Sequence, residues 1–146
     1  MDMLEVSDKR INRHPWELSR TFSLLNEWIP YIKSFGDNAS FIDLGAGDMF
    51  FDRFILKTMP DHVLHAIDIG YNDEKMKYIK VPKSARLYKT LDEFEDDNMV
   101  DYAIMMDSLE IFPDTISIVR FLSEKVKMGG VYFFYNDSFP VFVFRS

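Results

Sequence analysis

Five residues whose types and order could bind a small polar ligand end or follow short apolar runs of the sequence: Asp43, Gly45, Gly47, Asp68 and Asp107. Glycine lets the backbone turn tightly and approach a ligand without a Cβ in the way. A carboxylate at the end of a second strand can accept hydrogen bonds from the two neighbouring hydroxyls of a ribose. This combination indicates a nucleoside site.

The elements that must bring these residues together are five β-like runs separated by helical segments. The runs are residues 41–44, 62–69, 85–90, 100–106 and 131–135. Strands that alternate with helices pair in parallel through right-handed crossovers, which predicts an α/β sheet with helices on both faces. Ligands bind beyond the carboxyl ends of such strands, where the three aspartates and the glycine turn converge.

One helical segment precedes the first of these runs, and three more lie between successive runs. The first begins near Pro15, carries an apolar stripe at helical spacing, and ends at Gly36. Pro30 is expected to kink or break it. The other three are predicted at residues 48–58 with Asp48 as the cap, at 73–80, and at 114–130, where Asp114 caps the start and two glycines close the end.

Composition limits the classes of function. The chain of 146 residues fits one domain, has a net charge of −7 and contains no cysteine. The acidic balance disfavours nucleic acids and anionic membranes as partners. The lack of cysteine excludes disulfides, Cys-ligated zinc and thiol nucleophiles. Neither a membrane span nor a secretory signal is predicted, which is compatible with the cytoplasm.

The glycine turn does not fit a dinucleotide site. The third glycine of the G-x-G-x-x-G fingerprint would fall on Phe50. The acidic crevice would also repel a pyrophosphate, so a nucleotide-dependent oxidoreductase is disfavoured. A cationic nucleoside without phosphates fits better.

Four segments, in order and at matching spacings, resemble the motifs of class I S-adenosylmethionine-dependent methyltransferases. They are FIDLGAGDMFF (41–51), HAIDIGY (65–71), VDYAIMMDSLEIFPD (100–114) and KMGGVYFFY (127–135). The resemblance implies a Rossmann-like, mostly parallel five-stranded sheet in the order 3-2-1-4-5. It also implies S-adenosylmethionine as the cofactor and S-adenosylhomocysteine as the product.

The resemblance implies that the first motif binds the methionine end of the methyl donor, S-adenosylmethionine. Gly45, Ala46 and Gly47 would line it, and Asp43 would brace the loop and reach the donor's amino group. Asp107 would lie near the sulfonium.

The nucleoside end falls to the second motif, in which Asp68 would hold the ribose hydroxyls and Ile69 would flank the adenine. Leu91 and Asp92 are candidates for a further adenine contact. The alternative is a strand–turn–helix unit without a ligand.

Two departures from the family pattern affect the site. Met49 stands at the third glycine-like position of the first motif, which narrows the loop. Ile111 stands where a histidine is often found, which removes a possible base. No catalytic residue and no metal site is assigned.

The N-terminal part, residues 1–36, resembles the helical lid that often covers the donor in this family. Trp16 could close the pocket and Arg20 could meet the donor carboxylate, the alternative being an ordinary packed helix. His62 and His65 would lie on opposite faces of a strand, which favours structural roles.

The resemblance implies methyl transfer to a small-molecule, lipid or sugar-linked acceptor. The alternative is a donor-binding fragment or module without activity of its own.

Residues 41–146 would form an incomplete Rossmann-like core within a single domain, because the family's last antiparallel hairpin is largely missing. We therefore expect a C-terminally truncated form. Residues 139–144 should fold back beside the fifth strand or pair with another molecule, so a homodimer through this edge or the aromatic C-terminus is possible.

Overall fold

The structure is a computed structural model that describes residues 15–94, 99–106, 114–136 and 139–145. In chain order the elements are α1 (Pro15–Lys33), β1 (Ser40–Leu44), α2 (Phe50–Thr58), β2 (Val63–Ile67), α3 (Asp73–Met76), β3 (Ala85–Tyr88), a short 3-10 turn (Leu91–Glu93), β4 (Val100–Met106), α4 (Thr115–Lys125), β5 (Val126–Asn136) and β6 (Phe139–Arg145). Strands and helices alternate as far as β5, which confirms the predicted α/β class.

The strands form one sheet in the order β3-β2-β1-β4-β5-β6. The pairs among β1 to β5 are all parallel, which confirms the predicted order 3-2-1-4-5. β6 adds a sixth strand, antiparallel to β5 and in register from Val131 opposite Arg145 to Asn136 opposite Phe139. The C-terminal segment therefore folds back beside the fifth strand, which is one of the two predicted outcomes.

Apolar side chains cover both faces of the sheet, because successive strand residues point to opposite sides. On one face α1 and α2 pack on the sheet through a cluster that includes Trp28, Phe51 and Phe133. On the other face α4 contributes Ile118 and Leu122 to a second cluster. The prediction of helices on both faces is confirmed.

Three helix predictions need correction. α1 continues through Pro30 to Lys33 instead of breaking, since the buried Trp28 and Ile32 pack on either side of the proline. α3 is a single turn that ends at Met76 instead of Lys80. α2 has Met49 as its N-cap, while Asp48 accepts a 3.2 Å hydrogen bond from the backbone N–H of Phe50.

The end of α4 was also predicted wrongly. The helix ends at Lys125, and the two glycines lie inside β5 instead of closing the helix. A Cβ on Gly130 would lie 2.6 Å from the backbone oxygen of Asp101 and 2.5 Å from Cγ1 of Val126, so no larger residue fits there. Asp114 does cap the start, accepting from the backbone N–H groups of Ile116 and Ser117.

Within the described ranges, no helix has the length and apolar character needed to cross a bilayer.

Candidate ligand site at the carboxyl ends of the strands

The loop between β1 and α2 is bent by two glycines and attached to the end of β2. Gly45 and Gly47 have φ values of 74° and 55°. These lie in the left-handed region, which residues other than glycine rarely adopt. The backbone N–H groups of Gly45 and Ala46 both donate to the carbonyl oxygen of Ile67, at 2.7 and 3.3 Å. The loop therefore has a fixed position beside the end of β2.

Met49 also adopts a left-handed conformation, with φ of 60°. It is the residue that stands where the family pattern has a third glycine-like position, and its side chain is fully buried. A non-glycine residue in this region costs of order 1 kcal/mol and persists only when its surroundings enforce it. Burial of the Met49 side chain supplies that constraint.

Asp68, at the end of β2, connects the glycine loop to the turn that follows the strand. Its Oδ2 accepts a 2.8 Å hydrogen bond from the N–H of Gly47, and its Oδ1 accepts a 2.7 Å bond from the N–H of Gly70. An ionised carboxylate has about four lone-pair positions, so both oxygens can accept again. Asp68 is half-buried and can meet both backbone amides and a ligand's hydroxyls.

A cavity of about 270 Å³ opens between the glycine loop and the turn after β2. It is lined by Gly47, Asp48, Asp68, Gly70, Tyr71, Tyr78 and Ile79. The Tyr71 hydroxyl donates a 2.7 Å hydrogen bond to the carbonyl oxygen of Gly47. A Cβ built on Gly47 meets no atom within 4 Å, so this glycine faces open space.

A smaller cavity of about 130 Å³ lies between the glycine loop and the first turns of α1. Its lining includes Asp43, Gly45 and Ala46 from the loop side, Glu17, Arg20 and Thr21 from α1, and Asp48, Phe50, Phe51 and Met106. Sites for whole small molecules usually measure about 300–1,000 Å³. Either cavity alone therefore suits one part of a larger ligand.

Aromatic rings hold the first turns of α1 over this smaller cavity. The guanidinium carbon of Arg20 lies 4.9 Å from the ring centroid of Trp16 and 5.1 Å from that of Tyr135. These cation–π contacts join α1 to β5. Arg20 is thus held at the wall of the cavity, as a lid over the site would require.

A buried pair of carboxyl groups lies next to the loop, and one member was not predicted. Asp43 is 5% exposed and Asp52, on α2, is fully buried. Burial raises the pKa of Asp43 well above its usual range, and the charges of Asp52 and Asp68 raise it further. Burial also raises the pKa of Asp52 to about 6, against the opposing effects of a hydrogen bond with Asp43 and the charge of Arg53.

The signal that could have indicated Asp52 is its setting among apolar residues. Every residue from Phe50 to Leu56 is buried, since α1 covers the face of α2 that would otherwise meet solvent. An acid inside so apolar a segment is unusual unless it is paired or functional.

The structure brings Asp43, Gly45, Ala46, Gly47 and Asp68 together at the carboxyl ends of β1 and β2. Ile69 is 62% exposed beside them, with its apolar side chain open to a ligand. Leu91 and Asp92 lie in the 3-10 turn after β3, and Asp92 is exposed.

The remaining predicted site residue, Asp107, lies outside the described residues, as does Ile111. The buried His62, for which the sequence favours a structural role, lies away from the site. The ring nitrogens of His62 contact the Tyr102 hydroxyl and the Gly36 carbonyl oxygen at 2.9 and 2.8 Å. His62 therefore has a structural role. Across the described ranges, no group of three or more metal-ligating side chains is placed to hold a metal ion.

Comparison with solved structures identifies the fold. The chain is similar to the plantazolicin methyltransferase BpumL in complex with a pentazolic desmethylPZN analog and SAH, with a TM-score of 0.65 and 18% identity over 79% of this chain and 46% of that one. It is also similar to coclaurine N-methyltransferase bound to N-methylheliamine and SAH, with a TM-score of 0.62 and 15% identity over 78% of this chain and 34% of that one.

A third similar structure is PKMT2 from Rickettsia typhi in complex with AdoHcy, with a TM-score of 0.58 and 17% identity over 72% of this chain and 24% of that one. The chain thus spans less than half the length of each of these three proteins. No protein-family model and no curated protein matches the chain. The structural likenesses establish a Rossmann-like fold of the class I methyltransferase type.

Proposed function

We propose that this chain binds S-adenosylmethionine at the carboxyl ends of β1 and β2 and transfers its methyl group to a small-molecule, lipid or sugar-linked acceptor. The observation that carries the proposal is the hydrogen bond from the Gly47 amide to the Asp68 carboxylate, at 2.8 Å. It joins the glycine loop to the acid at the end of β2, the two features with which this fold type holds a nucleoside.

The residues present fit the nucleoside end of this donor. Asp68 retains acceptor positions for two ribose hydroxyls, and Ile69 offers an exposed apolar surface for the adenine ring. Leu91 and Asp92 would extend the adenine site from the neighbouring turn. The open space in front of Gly47 leaves room for the sugar, which a larger side chain there would occupy.

The methionine end fits the smaller cavity. Asp43 would meet the donor's amino group, and Arg20 would meet its carboxylate from the wall formed by α1. Gly45 and Ala46 would line this part of the ligand. Asp107, which follows β4, would lie near the sulfonium.

The donor supplies a methyl group that its sulfonium already activates toward a nucleophile. The chain's residues therefore act mainly by position: Asp68 and Asp43 fix the two ends of the donor, and α1 with Trp16 keeps water from the methionine end. The acidic crevice also favours a cationic ligand over an anionic one.

A calorimetric titration with S-adenosylmethionine and S-adenosylhomocysteine tests donor binding. We expect micromolar affinity that falls about 10- to 100-fold in Asp68→Ala, because hydrogen bonds to a charged group are lost. Asp61→Asn, which changes an exposed aspartate away from the site, should bind as the wild type does. No binding of either compound by the wild-type chain would overturn the proposal.

The alternative is a donor-binding module without activity of its own. The chain spans 24–46% of the three similar structures described above, so the activity of a whole protein is a proposal for this chain. Incubation with a donor labelled in its methyl group and mixed metabolites separates the two functions. Label transferred by the wild type and not by Asp68→Ala indicates an enzyme, whereas donor binding without transfer indicates a module.

A further inference from the structure

Asp52 is a buried acid for which the described part of the chain provides no hydrogen-bond donor. Its side chain has no exposed surface, and among the residues that the structure describes neither of its carboxylate oxygens receives a hydrogen bond from a donor group. An ionised carboxylate in such a place is costly and normally gains a proton or a partner. We therefore expect Asp52 either to be protonated or to have a hydrogen-bonding partner.

The group within hydrogen-bonding reach of Asp52 is the carboxyl of Asp43. Two ionised carboxylates can only accept, so a hydrogen bond between them requires a proton on one of the two. A single shared proton gives Asp52 its missing donor and halves the charge buried in this place. Because burial raises both pKa values, the pair retains this proton toward neutral pH.

Asp43 also lines the cavity that the methionine end of the donor would occupy. On the basis of the proposed function, we propose that the cationic end of the donor displaces the shared proton when it binds Asp43, and that Asp52 is the positioning residue that holds this proton beforehand. The O–H bond of the carboxyl pair breaks, the proton passes to solvent, and the donor's ammonium group takes its place.

Other charged or titratable groups surround Asp43 and Asp52, but none of those described here donates a hydrogen bond to Asp52. They are Arg53 on α2, Asp68 and Tyr71 after β2, Tyr102 on β4, and Glu17, Arg20 and Asp48 at the cavity. Burial and the neighbouring acids raise the pKa of Tyr71, so its hydroxyl stays neutral. The guanidinium of Arg53 donates to the backbone oxygen of Asp48. Its charge only partly offsets the effect of burial on Asp52.

Proton displacement makes donor affinity depend on pH. If one proton leaves for each donor bound, affinity rises up to about tenfold per pH unit over the range in which the free pair is protonated. A donor amino group with an ordinary pKa stays protonated below about pH 7. Between about pH 5 and 7 the change of donor affinity with pH therefore reports the protonation of the Asp43–Asp52 pair.

The experiment is calorimetric titration of the full chain with S-adenosylhomocysteine at about pH 5.5 and 7, in two buffers whose ionisation enthalpies differ. The enthalpy difference gives the number of protons released. For the wild type we expect release of about 0.5–1 proton and an affinity at least about fivefold higher at the upper pH.

Asp52→Asn should release fewer protons than the wild type, and its affinity should depend less on pH across this range. An asparagine carries no charge and can donate to Asp43, so two of the effects that raise the pKa of Asp43 are removed. Asp61→Asn, the matched change at an exposed aspartate, should keep the wild-type dependence. A merely structural role for Asp52 would weaken binding equally at both pH values and leave proton release unchanged.

The outcomes separate this inference from the function it rests on. Donor binding by the wild type without proton release overturns the inference and leaves the proposed function standing. No donor binding at either pH overturns both. The wild-type measurement needs no substitution, so it decides even if Asp52→Asn fails to fold, which circular dichroism would show.

Discussion

The buried polar groups at the two ends of β1 differ in whether the chain supplies their hydrogen-bonding partners. At the amino end, each ring nitrogen of the buried His62 has a partner, the Tyr102 hydroxyl at 2.9 Å and the Gly36 carbonyl oxygen at 2.8 Å. The backbone N–H of Ser40 donates to Asp101 at 3.0 Å. These polar groups are satisfied within the chain.

At the carboxyl end, the chain leaves polar groups in positions that cost free energy. Asp52 has no donor among the described residues, Asp43 shares its buried environment, and Met49 adopts a left-handed conformation. Such costs are retained where a ligand can use them. We therefore expect the amino end of the sheet to serve stability and the carboxyl end to serve the proposed binding, and each end can be tested separately.

The largest loss of stability is expected at the amino end. His62→Ala leaves the Tyr102 hydroxyl and the Gly36 carbonyl oxygen without a partner and opens a cavity, which should lower the free energy of unfolding by about 2–4 kcal/mol. Urea denaturation at neutral pH measures this. Donor affinity should stay within about twofold of the wild type, because this end does not bind the ligand.

The matched control at the same end is Lys127→Ala. Lys127 is 53% exposed and lies 3.2 Å from Asp101. Exposed ion pairs contribute about 0–1 kcal/mol, so this substitution should change stability very little. A loss from His62→Ala no greater than that from Lys127→Ala would contradict the assignment of the amino end to stability.

At the carboxyl end we expect the opposite sign for Asp52→Asn. The pKa of Asp52 is raised to about 6, so its proton stabilises the folded chain at low pH, and that stability is lost as pH rises through about 6. The substitution should therefore raise the free energy of unfolding by on the order of 1–3 kcal/mol near pH 8. Near pH 4 it should have little effect.

Urea denaturation at several pH values measures this difference, with Asp61→Asn as the exposed control. A constant effect of Asp52→Asn from about pH 4 to 8 would show that folding does not raise the pKa of Asp52, which would contradict this prediction.

Gly47→Ala should lower stability less than His62→Ala does. The φ of 55° at Gly47 costs an alanine about 1 kcal/mol. The added methyl group would also enter the open space in front of the loop, so donor affinity should fall about tenfold or more by calorimetry. Gly36→Ala provides the control, since its φ is 83° and its Cβ would also meet nothing within 4 Å. It should lose similar stability and keep its affinity.

The sequence indicated more about the loop than about the helix behind it. Gly45, Gly47 and Asp68 could be placed together because glycine turns and strand-end acids act through the backbone and the topology, both of which leave local patterns. The apolar neighbours of Asp52 mark it as unusual in the sequence, but its burial depends on α1 covering α2 from a distant part of the chain. The apolar periodicity of α2 carries no information about its contact with α1.

The difference between local patterns and distant contacts also explains why the two glycines of β5 are wrongly predicted to end α4. Two adjacent glycines after a helical stripe predict a helix end. Gly130 instead lies inside the strand because the backbone oxygen of Asp101 is too close for any side chain. This requirement comes from the pairing of β5 with β4 and is visible only once the sheet is assembled.

The packing of Trp28 has a consequence for how the chain folds. Its indole ring lies 5.0 Å from the ring of Phe133 and 5.5 Å from that of Phe51, so the first helix and the fifth strand meet at one buried tryptophan. Closing a loop of about a hundred residues is entropically costly and slow. During synthesis this contact can form only after Phe133 has left the ribosome. The fluorescence of Trp28 therefore reports a late step of folding, while Trp16, which is 51% exposed and lies beside Arg20, is buried much less by folding.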